Sequence, residues 1–377
     1  MKHSPAYKIS FCIVCMNRLP QLKKTLLKNL AYNATYGELE FILLDYNSKD
    51  GMYAWAKQYL QKDIDDGRLI YYKTNDPQEF NHSHAKNLAF KLASGDIICN
   101  INADHFTGES FAWYINEQFQ KDDNIVLTPI PAYASEKAAA QKDVFGKVCM
   151  RKDHFMNIGG YDERMLTYGF EDFDIVNRLE MTGIKRCILS DPGFLKFIPH
   201  SDDRSTIGNN YEKPKRIFLR HINFYSSDIL LLFTSGLVEV GKLIDESIRY
   251  ADDIRSGIKP PLYRFEYALE NSKWSTGQWK EDHLSNLTIT TGSETKIIKL
   301  KKDEREGLAA ECLNESSYFL LEDKQSIKDL MEFYYLFKNR SLLEINILTR
   351  NIRPNQSGFG KAAVFKNFDT RQAIMIP

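Results

Sequence analysis

Apolar residues in the first hundred positions come in short runs set between polar clusters, and two spacings alternate. Ile9 to Met16 is an apolar run of strand length, closed by Asn17-Arg18. From about Pro20 to Leu30, the positions Leu22, Leu26, Leu27 and Leu30 share one side of a helix. Phe41 to Leu44 repeats the strand signal and ends in the polar turn Asp45-Tyr46-Asn47-Ser48-Lys49-Asp50-Gly51. A helix over Tyr53 to Gln61, a strand over Leu69 to Tyr72, a helix over His84 to Leu92 and a strand over Asp96 to Ile101 continue the alternation. Strands separated by helices at this interval predict a parallel α/β sheet. In open sheets of that kind ligands bind beyond the carboxyl ends of the strands. Asn17 and Arg18, Asp45, and Asn102-Ala103-Asp104-His105 all fall there.

The segment from Gly159 to Gly183, GGYDERMLTYGFEDFDIVNRLEMTG, carries the strongest chemical signal. A glycine-rich turn delivers Glu171, Asp172 and Asp174 to the start of a helix whose apolar stripe is Phe173, Val176 and Leu179 and whose end is Gly183. Clustered acids repel one another. The unpaired amides and macrodipole of a helix N-terminus return about 0.3–1 kcal/mol per group, so an acidic helix cap is one reading of the motif. A ligand site is the other. Gly159, Gly160 and Gly169 let the backbone approach a ligand closely, and Tyr161 and Tyr168 flank the turn as sugar-stacking residues would.

The order G-G-Y-D-E, then G-F-E-D-x-D with an aliphatic residue and N-R-L, resembles the C-terminal motif of galactosyltransferases and of many bacterial family 2 glycosyltransferases with the GT-A fold. The resemblance extends toward the N-terminus. Ile-Ser-Phe-Cys-Ile-Val-Cys-Met-Asn-Arg is similar to the opening strand and loop of that family, Leu-Asp-Tyr-Asn-Ser-Lys-Asp-Gly to its uracil-contacting turn, and Ala85-Lys86-Asn87 to its Ala-Arg-Asn segment. Asn102-Ala103-Asp104 stands in the place of the Asp-x-Asp motif that holds a divalent metal on the nucleotide diphosphate. In all, it covers roughly residues 8 to 205.

By this resemblance Asp172 is the general base that takes the acceptor's hydroxyl proton, and Glu171 contacts the acceptor. Asn17, Arg18, Asp45, Lys86, Asn102 and Asp104 are the implied nucleotide-sugar contacts. Asp104 and His200 are the implied ligands of Mn²⁺ or Mg²⁺, with His105 as a rival to His200. Asn102 departs from the family's usual Asp: an amide removes one negative charge and keeps one oxygen ligand.

Composition adds limits. The 377 residues carry 50 Lys plus Arg and 50 Asp plus Glu, so no overall charge attracts nucleic acid. Six cysteines lie dispersed in apolar segments, which suits a reducing compartment. The Cys12-Ile-Val-Cys15 spacing has no second pair to complete a metal site. The N-terminus shows no signal-peptide pattern, and no apolar run reaches the ~20 residues that span a bilayer, which predicts a cytoplasmic protein.

Beyond about Asp202 the family resemblance fades. Lys213, Lys215, Arg216, Arg220 and His221 form a basic cluster beside Phe218, Phe224 and Tyr225. The apolar stretch Ile229 to Val240 predicts a helix packed on the catalytic domain, with peripheral contact at an anionic membrane as the alternative. Ser256-Gly257-Ile258-Lys259-Pro260-Pro261 has linker composition. It divides a GT-A domain, residues 1–255, from a C-terminal α+β appendage, residues 256–377, with a β-like segment at Leu287 to Leu300 and an aromatic helix at Ser326 to Lys338. Such aromatics suit core or a subunit contact, so a homo-oligomer is allowed.

These features together predict an inverting glycosyltransferase that moves a hexose or N-acetylhexosamine, galactose or N-acetylgalactosamine by the resemblance, from a UDP-sugar to a glycan or lipid-linked glycan acceptor. Bacterial polysaccharide or glycoconjugate synthesis is the implied setting. A retaining transferase and a catalytically silent carbohydrate- or nucleotide-binding module are the alternatives, the latter motivated by Asn102. A Rossmann dehydrogenase is disfavoured because no G-x-G-x-x-G follows the first strand.

Overall fold

Along the first strand, β1 (Ile9–Cys15), Ile9, Phe11, Ile13 and Cys15 enter one hydrophobic cluster while Cys12 and Val14 enter another. A strand buried on both faces makes the continuous apolar run of the sequence and needs helices above and below it. In the computed structural model, which describes residues 7–131, 144–199, 214–223, 226–244, 274–303, 307–311 and 318–377, those helices are present.

The chain forms two compact units, residues 1–210 with 338–377 and residues 211–337. In the first, β1 is followed by α1 (Leu19–Tyr32), β2 (Leu39–Tyr46), α2 (Met52–Tyr59), α3 (Gln61–Asp65), β3 (Leu69–Thr74), α4 (His82–Leu92), β4 (Ile97–Asn100), α5 (Phe111–Lys121) and β5 (Ile125–Thr128). Then come β6 (Cys149–Arg151), α6 (Lys152–Asn157), α7 (Glu171–Met181) and β7 (Lys185–Ile188). Strands β1 to β4 run parallel, β6 is antiparallel to both β4 and β5, and β7 is parallel to β5. This is the mixed α/β sheet expected of a GT-A fold.

The second unit is an eight-stranded antiparallel barrel. Its strands are β8 (Pro214–Asn223), β9 (Ser226–Phe233), β10 (Leu237–Ile244), β11 (Ser275–Glu281), β12 (Asn286–Thr291), β13 (Glu294–Asp303), β14 (Gly307–Glu311) and β15 (Tyr318–Leu320). Helix α8 (Lys324–Leu348) begins in this unit and ends in the first. There β16 (Ala362–Lys366) pairs with β3 and β17 (Ile374–Ile376) with β16, which places the C-terminal strands on the edge of the nine-stranded sheet.

The stretch Ile229 to Val240 is therefore a hairpin, β9 and β10 around Gly236 at φ 86°, and not the helix its composition predicts. Leu230, Leu232 and Val238 point into the barrel with Phe218, Leu287 and Ile298, whereas Ile229, Leu231 and Phe233 lie outside against Leu330, Met331 and Tyr334 of α8. Because both faces of β9 are buried, the alternation that marks a strand is absent from its sequence.

The compact units do not divide at 255/256. Strand β10 pairs with β11 across the Gly-Pro-rich segment, so backbone hydrogen bonds keep residues 214–244 with the barrel, and residues 338–377 return to the sheet. The linker itself lies outside the described residues, as do His200, Asp202, Lys213, Phe224 and Tyr225. The β-like segment at 287–300 is a hairpin, β12 and β13, turning at Gly292. Cys12 and Cys15 point to opposite faces of the sheet, so their spacing makes no chelating pair.

Helices α1, α2 and α5 cover one face of the sheet and α4, α6 and α7 the other. Helix α7 precedes β7 and so begins at the same edge where β1 to β4 end. If β9 is a strand enclosed on both sides, Leu231→Ala removes a fully buried side chain and lowers stability to urea by about 2–5 kcal/mol, whereas an exposed site would lose almost none.

Candidate active site

Two loops at the carboxyl edge of the sheet are tied together by short side chains. Asn17, at φ 55°, accepts from the Lys49 amide at 2.7 Å through Oδ1, and its own amide donates to Ser48 Oγ at 3.2 Å. Arg18 stands at the N-cap of α1, and the Leu19 amide beside it donates to Asp50 Oδ2 at 2.8 Å. Asp45 is fully buried: Oδ1 accepts from the Ser48 amide at 2.8 Å, and Oδ2 from the Tyr71 hydroxyl at 2.7 Å and Lys73 Nζ at 3.2 Å. Its carboxylate thus shapes the turn after β2 from within. Burial and the Asp45 charge push the Tyr71 hydroxyl well above its ordinary range, so that phenol remains a donor.

Beyond β4, Asn102 Oδ1 accepts from Asn100 Nδ2 at 2.9 Å, and the Asn102 amide lies 3.4 Å from His105 Nε2. Gly146 packs on this amide so closely that a Cβ would stand 2.9 Å from Nδ2. Asp104 is nearly buried, its Oδ1 3.7 Å from His105 Nε2. Lys147, which belongs to none of the sequence motifs, is fully buried nearby and donates to the Phe106 carbonyl at 2.8 Å and to that of Phe194. Burial pulls its ammonium down to about 8, against the opposing pull of Cys99, Cys149 and Asp104. The oxygen donors at this edge suit Mg²⁺ or Mn²⁺ bound together with phosphate oxygens. Among the described residues no three His, Cys, Asp or Glu gather into a metal cage.

The centre of the site lies at the start of α7. Lys86, on the second turn of α4, donates to Asp172 Oδ1 and Oδ2 at 2.7 and 2.8 Å and to Glu171 Oε1 at 3.1 Å. Glu171 Oε2 accepts from the Gly169 amide at 2.9 Å, and His82 Nδ1 lies 3.9 Å from Glu171 Oε1. The ring of Tyr161 lies under the ammonium, 5.0 Å from Nζ. Lys86 is thus held by the two carboxylates on one side and an aromatic face on another.

Burial pushes the Asp172 carboxyl up to about 6, with the Glu171 charge adding to the effect and Lys86 opposing it. Burial acts on Glu171 in the same direction, but Lys86, His82 and a backbone amide outweigh it and hold that carboxyl below its usual range. His82 is pulled down to about 4, by burial first and by the Lys86 and Arg18 charges, against the pull of Glu171. Adjacent acids in one pocket thus differ in basicity, and the more basic one is Asp172.

The expected site residues fall into two groups. Glu171, Asp172 and Lys86 come together; Asn17, Asn102 and Asp104 occupy neighbouring loops of the same edge. Lys86 sits on the carboxylates, where its motif alone implied a nucleotide contact. Tyr161 is fully buried and supports Lys86, while Tyr168 is half exposed, its ring edge-on to His82 at 5.6 Å. Gly160, at φ 72°, serves close packing: a Cβ there would stand 2.5 Å from Asn87 Oδ1. Asp174 turns away from the pair and meets buried Arg178 at 2.7 Å.

The family model described as glycosyl transferase family 2 matches residues 10–176. That segment, less than half of the chain, is similar to family 2 glycosyltransferases. It runs from β1 through β6 into the first turns of α7 and includes Lys86, Tyr161, Glu171 and Asp172. No curated protein matches the chain in sequence. Among solved structures, the mannosyltransferase PcManGT from Pyrobaculum calidifontis in complex with GDP-Man and Mn²⁺ is similar at 15% identity and a TM-score of 0.43, over 54% of this chain and 60% of that one. S. aureus TarS 1–349 in complex with UDP is similar at 16% identity and a TM-score of 0.39, over 49% and 58%. The chain thus spans less than two thirds of either of these two. The catalytic domain of Drosophila beta1,4galactosyltransferase 7 with xylobiose follows at 15% identity and a TM-score of 0.36, over 54% and 75%.

The Lys86 contacts give the acidic site a measurable signature. Lys86→Met leaves two buried carboxylates without their cation and destabilises the native state by about 3–5 kcal/mol near neutral pH. In that variant both acids titrate above their unfolded values, so the native state takes up protons first and the deficit shrinks as pH falls toward about 5. Urea titrations at several pH values read both the loss and its recovery.

Proposed function

We propose that this protein is an inverting glycosyltransferase that moves a hexose or N-acetylhexosamine from a UDP-sugar to a glycan hydroxyl, with Asp172 as general base. One observation carries the reading: a buried carboxylate pushed up to about 6, clamped by Lys86 beside a second acid, at the edge where the parallel strands end, in a segment similar to family 2 glycosyltransferases. A pure helix cap would use the helix amides and needs no buried lysine reaching over from α4.

The charge balance explains why Asp172 accepts a proton readily. In the resting pair one ammonium faces two carboxylates, a net charge of about −1 in a poorly solvated pocket. After Asp172 takes the acceptor's proton, Lys86 and Glu171 remain as a neutral ion pair, so the transfer relieves repulsion. Glu171, kept ionised by Lys86, His82 and its own backbone amide and accepting from the Gly169 amide, is suited to receive hydrogen bonds from acceptor hydroxyls. Half-exposed Tyr168 offers a ring face for a sugar.

Asp104, with His200 by the family resemblance, would hold a divalent cation on the donor diphosphate. That cation would neutralise charge on the leaving group. Asn17 and Arg18 close the loop after β1 over the same edge. Attack from the side of Asp172, opposite the leaving diphosphate, inverts the anomeric centre and turns an α-linked donor into a β-linked product. The preference for galactose or N-acetylgalactosamine is supported by the likeness of the Glu-Asp motif to that of galactosyltransferases. A silent binding module is the second reading, favoured by Asn102 in place of the family's usual Asp; it requires UDP binding with no transfer.

Asp172→Asn keeps the shape and removes the base, and transfer falls about 10²- to 10⁴-fold while UDP affinity by calorimetry stays near that of the wild type. In the wild type, kcat/KM falls as pH drops through about 6, because Asp172 becomes protonated. Retained turnover in Asp172→Asn, or a flat profile through that range, contradicts the assignment.

A further inference from the structure

The loop that delivers the acid pair has little secondary structure of its own. It contains Gly169 at φ 103° and Phe170 at φ 70°, a left-handed conformation that a phenylalanine adopts only when its surroundings enforce it. What enforces it comes from the far end of the chain, beyond the matched segment. Asn339 of α8 donates through Nδ2 to the carbonyls of Thr167 at 3.3 Å and Gly169 at 3.0 Å. Gly169 is the residue whose amide donates to Glu171. One peptide segment thus relays Asn339 to the acid pair.

Asn346, two turns further along α8, donates through Nδ2 to Asp162 Oδ2 and Asp174 Oδ1, both at 2.9 Å, and accepts from Arg164 Nη2 at 2.9 Å. Both asparagines are buried, at 1% and 0% exposure. A third amide, Asn355, donates to the carbonyls of Gly159 and Tyr161 at 2.7 and 2.6 Å. The first turn of α7 is therefore gripped on two sides, by Lys86 at Asp172 and by Asn346 and Arg178 at Asp174. Neutral amides do this without altering the charge of the pocket, which a lysine or arginine at the same places would.

We infer that Asn339 and Asn346 are positioning residues for the transfer reaction: they fix the 167–170 loop and the first turn of α7 so that Asp172 faces the acceptor hydroxyl. The inference rests on the reading of Asp172 as the base. It also makes the return of residues 338–377 to the first unit a working part of the catalytic machinery.

The test uses the full chain with Asn339→Leu, which keeps volume and removes both donors, alongside Asn339→Ser, which keeps one small donor. Asn339→Leu lowers kcat about 10²-fold and leaves the donor KM and UDP affinity close to wild type, with Asn339→Ser in between. The acid limb of the pH profile also moves below that of the wild type. A loosened loop admits water to Asp172, while Lys86, Glu171, Tyr161 and His82, the charged and titratable groups around the acid pair, stay in place. A purely structural role would reduce active protein equally at every pH, leaving the limb and the kcat per folded molecule unchanged, and that result overturns the inference. If Asn339→Leu does not fold, Asn339→Ser at wild-type kcat with an unmoved limb overturns it equally. Loss of transfer in Asp172→Asn together with unaltered asparagine variants refutes only the positioning role; unimpaired Asp172→Asn refutes the base assignment beneath it.

Discussion

The active edge of this protein depends on one buried ammonium. Lys86 binds Asp172 through both oxygens and Glu171 through one, in a pocket where both acids are buried. Without that cation two adjacent carboxylates could not both ionise at the start of α7; with it, Glu171 is held as an anion, while burial and the Glu171 charge keep Asp172 raised against the pull of Lys86. The α7 amides contribute, but a helix terminus returns less than the desolvation that burial of two acids demands. Tyr161 completes the arrangement by giving Lys86 an aromatic face to lie on.

The fold explains why these residues meet. Helix α4 follows β3 and α7 precedes β7, so their N-termini lie on the edge where the parallel strands end. Both pack on the same face of the sheet, with Ala85, Leu88 and Ala89 of α4 and Ile175, Val176 and Leu179 of α7 in one cluster. Hydrophobic burial thereby fixes the distance between Lys86 and the acids, and the ion pair fixes only their final orientation. Asn102 and Asp104, after β4, lie on the same edge as the acid pair. The barrel of residues 211–337 is a separate compact unit.

Much of this was legible in the amino-acid order, and the exceptions have physical causes. The alternation of apolar runs and helical stripes in the first hundred residues specifies the sheet, because each strand there is bounded by a polar turn. The Glu171-Asp172 cluster stands out because charge repulsion makes it improbable without compensation. The hairpin at β9 and β10 reads as a helix because Ile229 to Phe233 are buried on both faces, which erases the period of two. Lys86 gives no hint of its partners: they lie 85 and 86 residues away, and only the packing of α4 against α7 brings them together. Asn346 meets Asp174 across 172 residues, and an asparagine within a helix carries no signal until its neighbours are known.

A crystal structure of the protein with UDP and Mn²⁺ would locate the donor relative to the clamped acid pair. If Lys86 poises Asp172 for transfer, the uridine lies on the loops after β1 and β2, the diphosphate lies at Asp104, and Asp172 faces the β-phosphate across a space the size of one sugar. Nucleotide bound elsewhere, or Asp172 walled off from the diphosphate by intervening chain, contradicts that role.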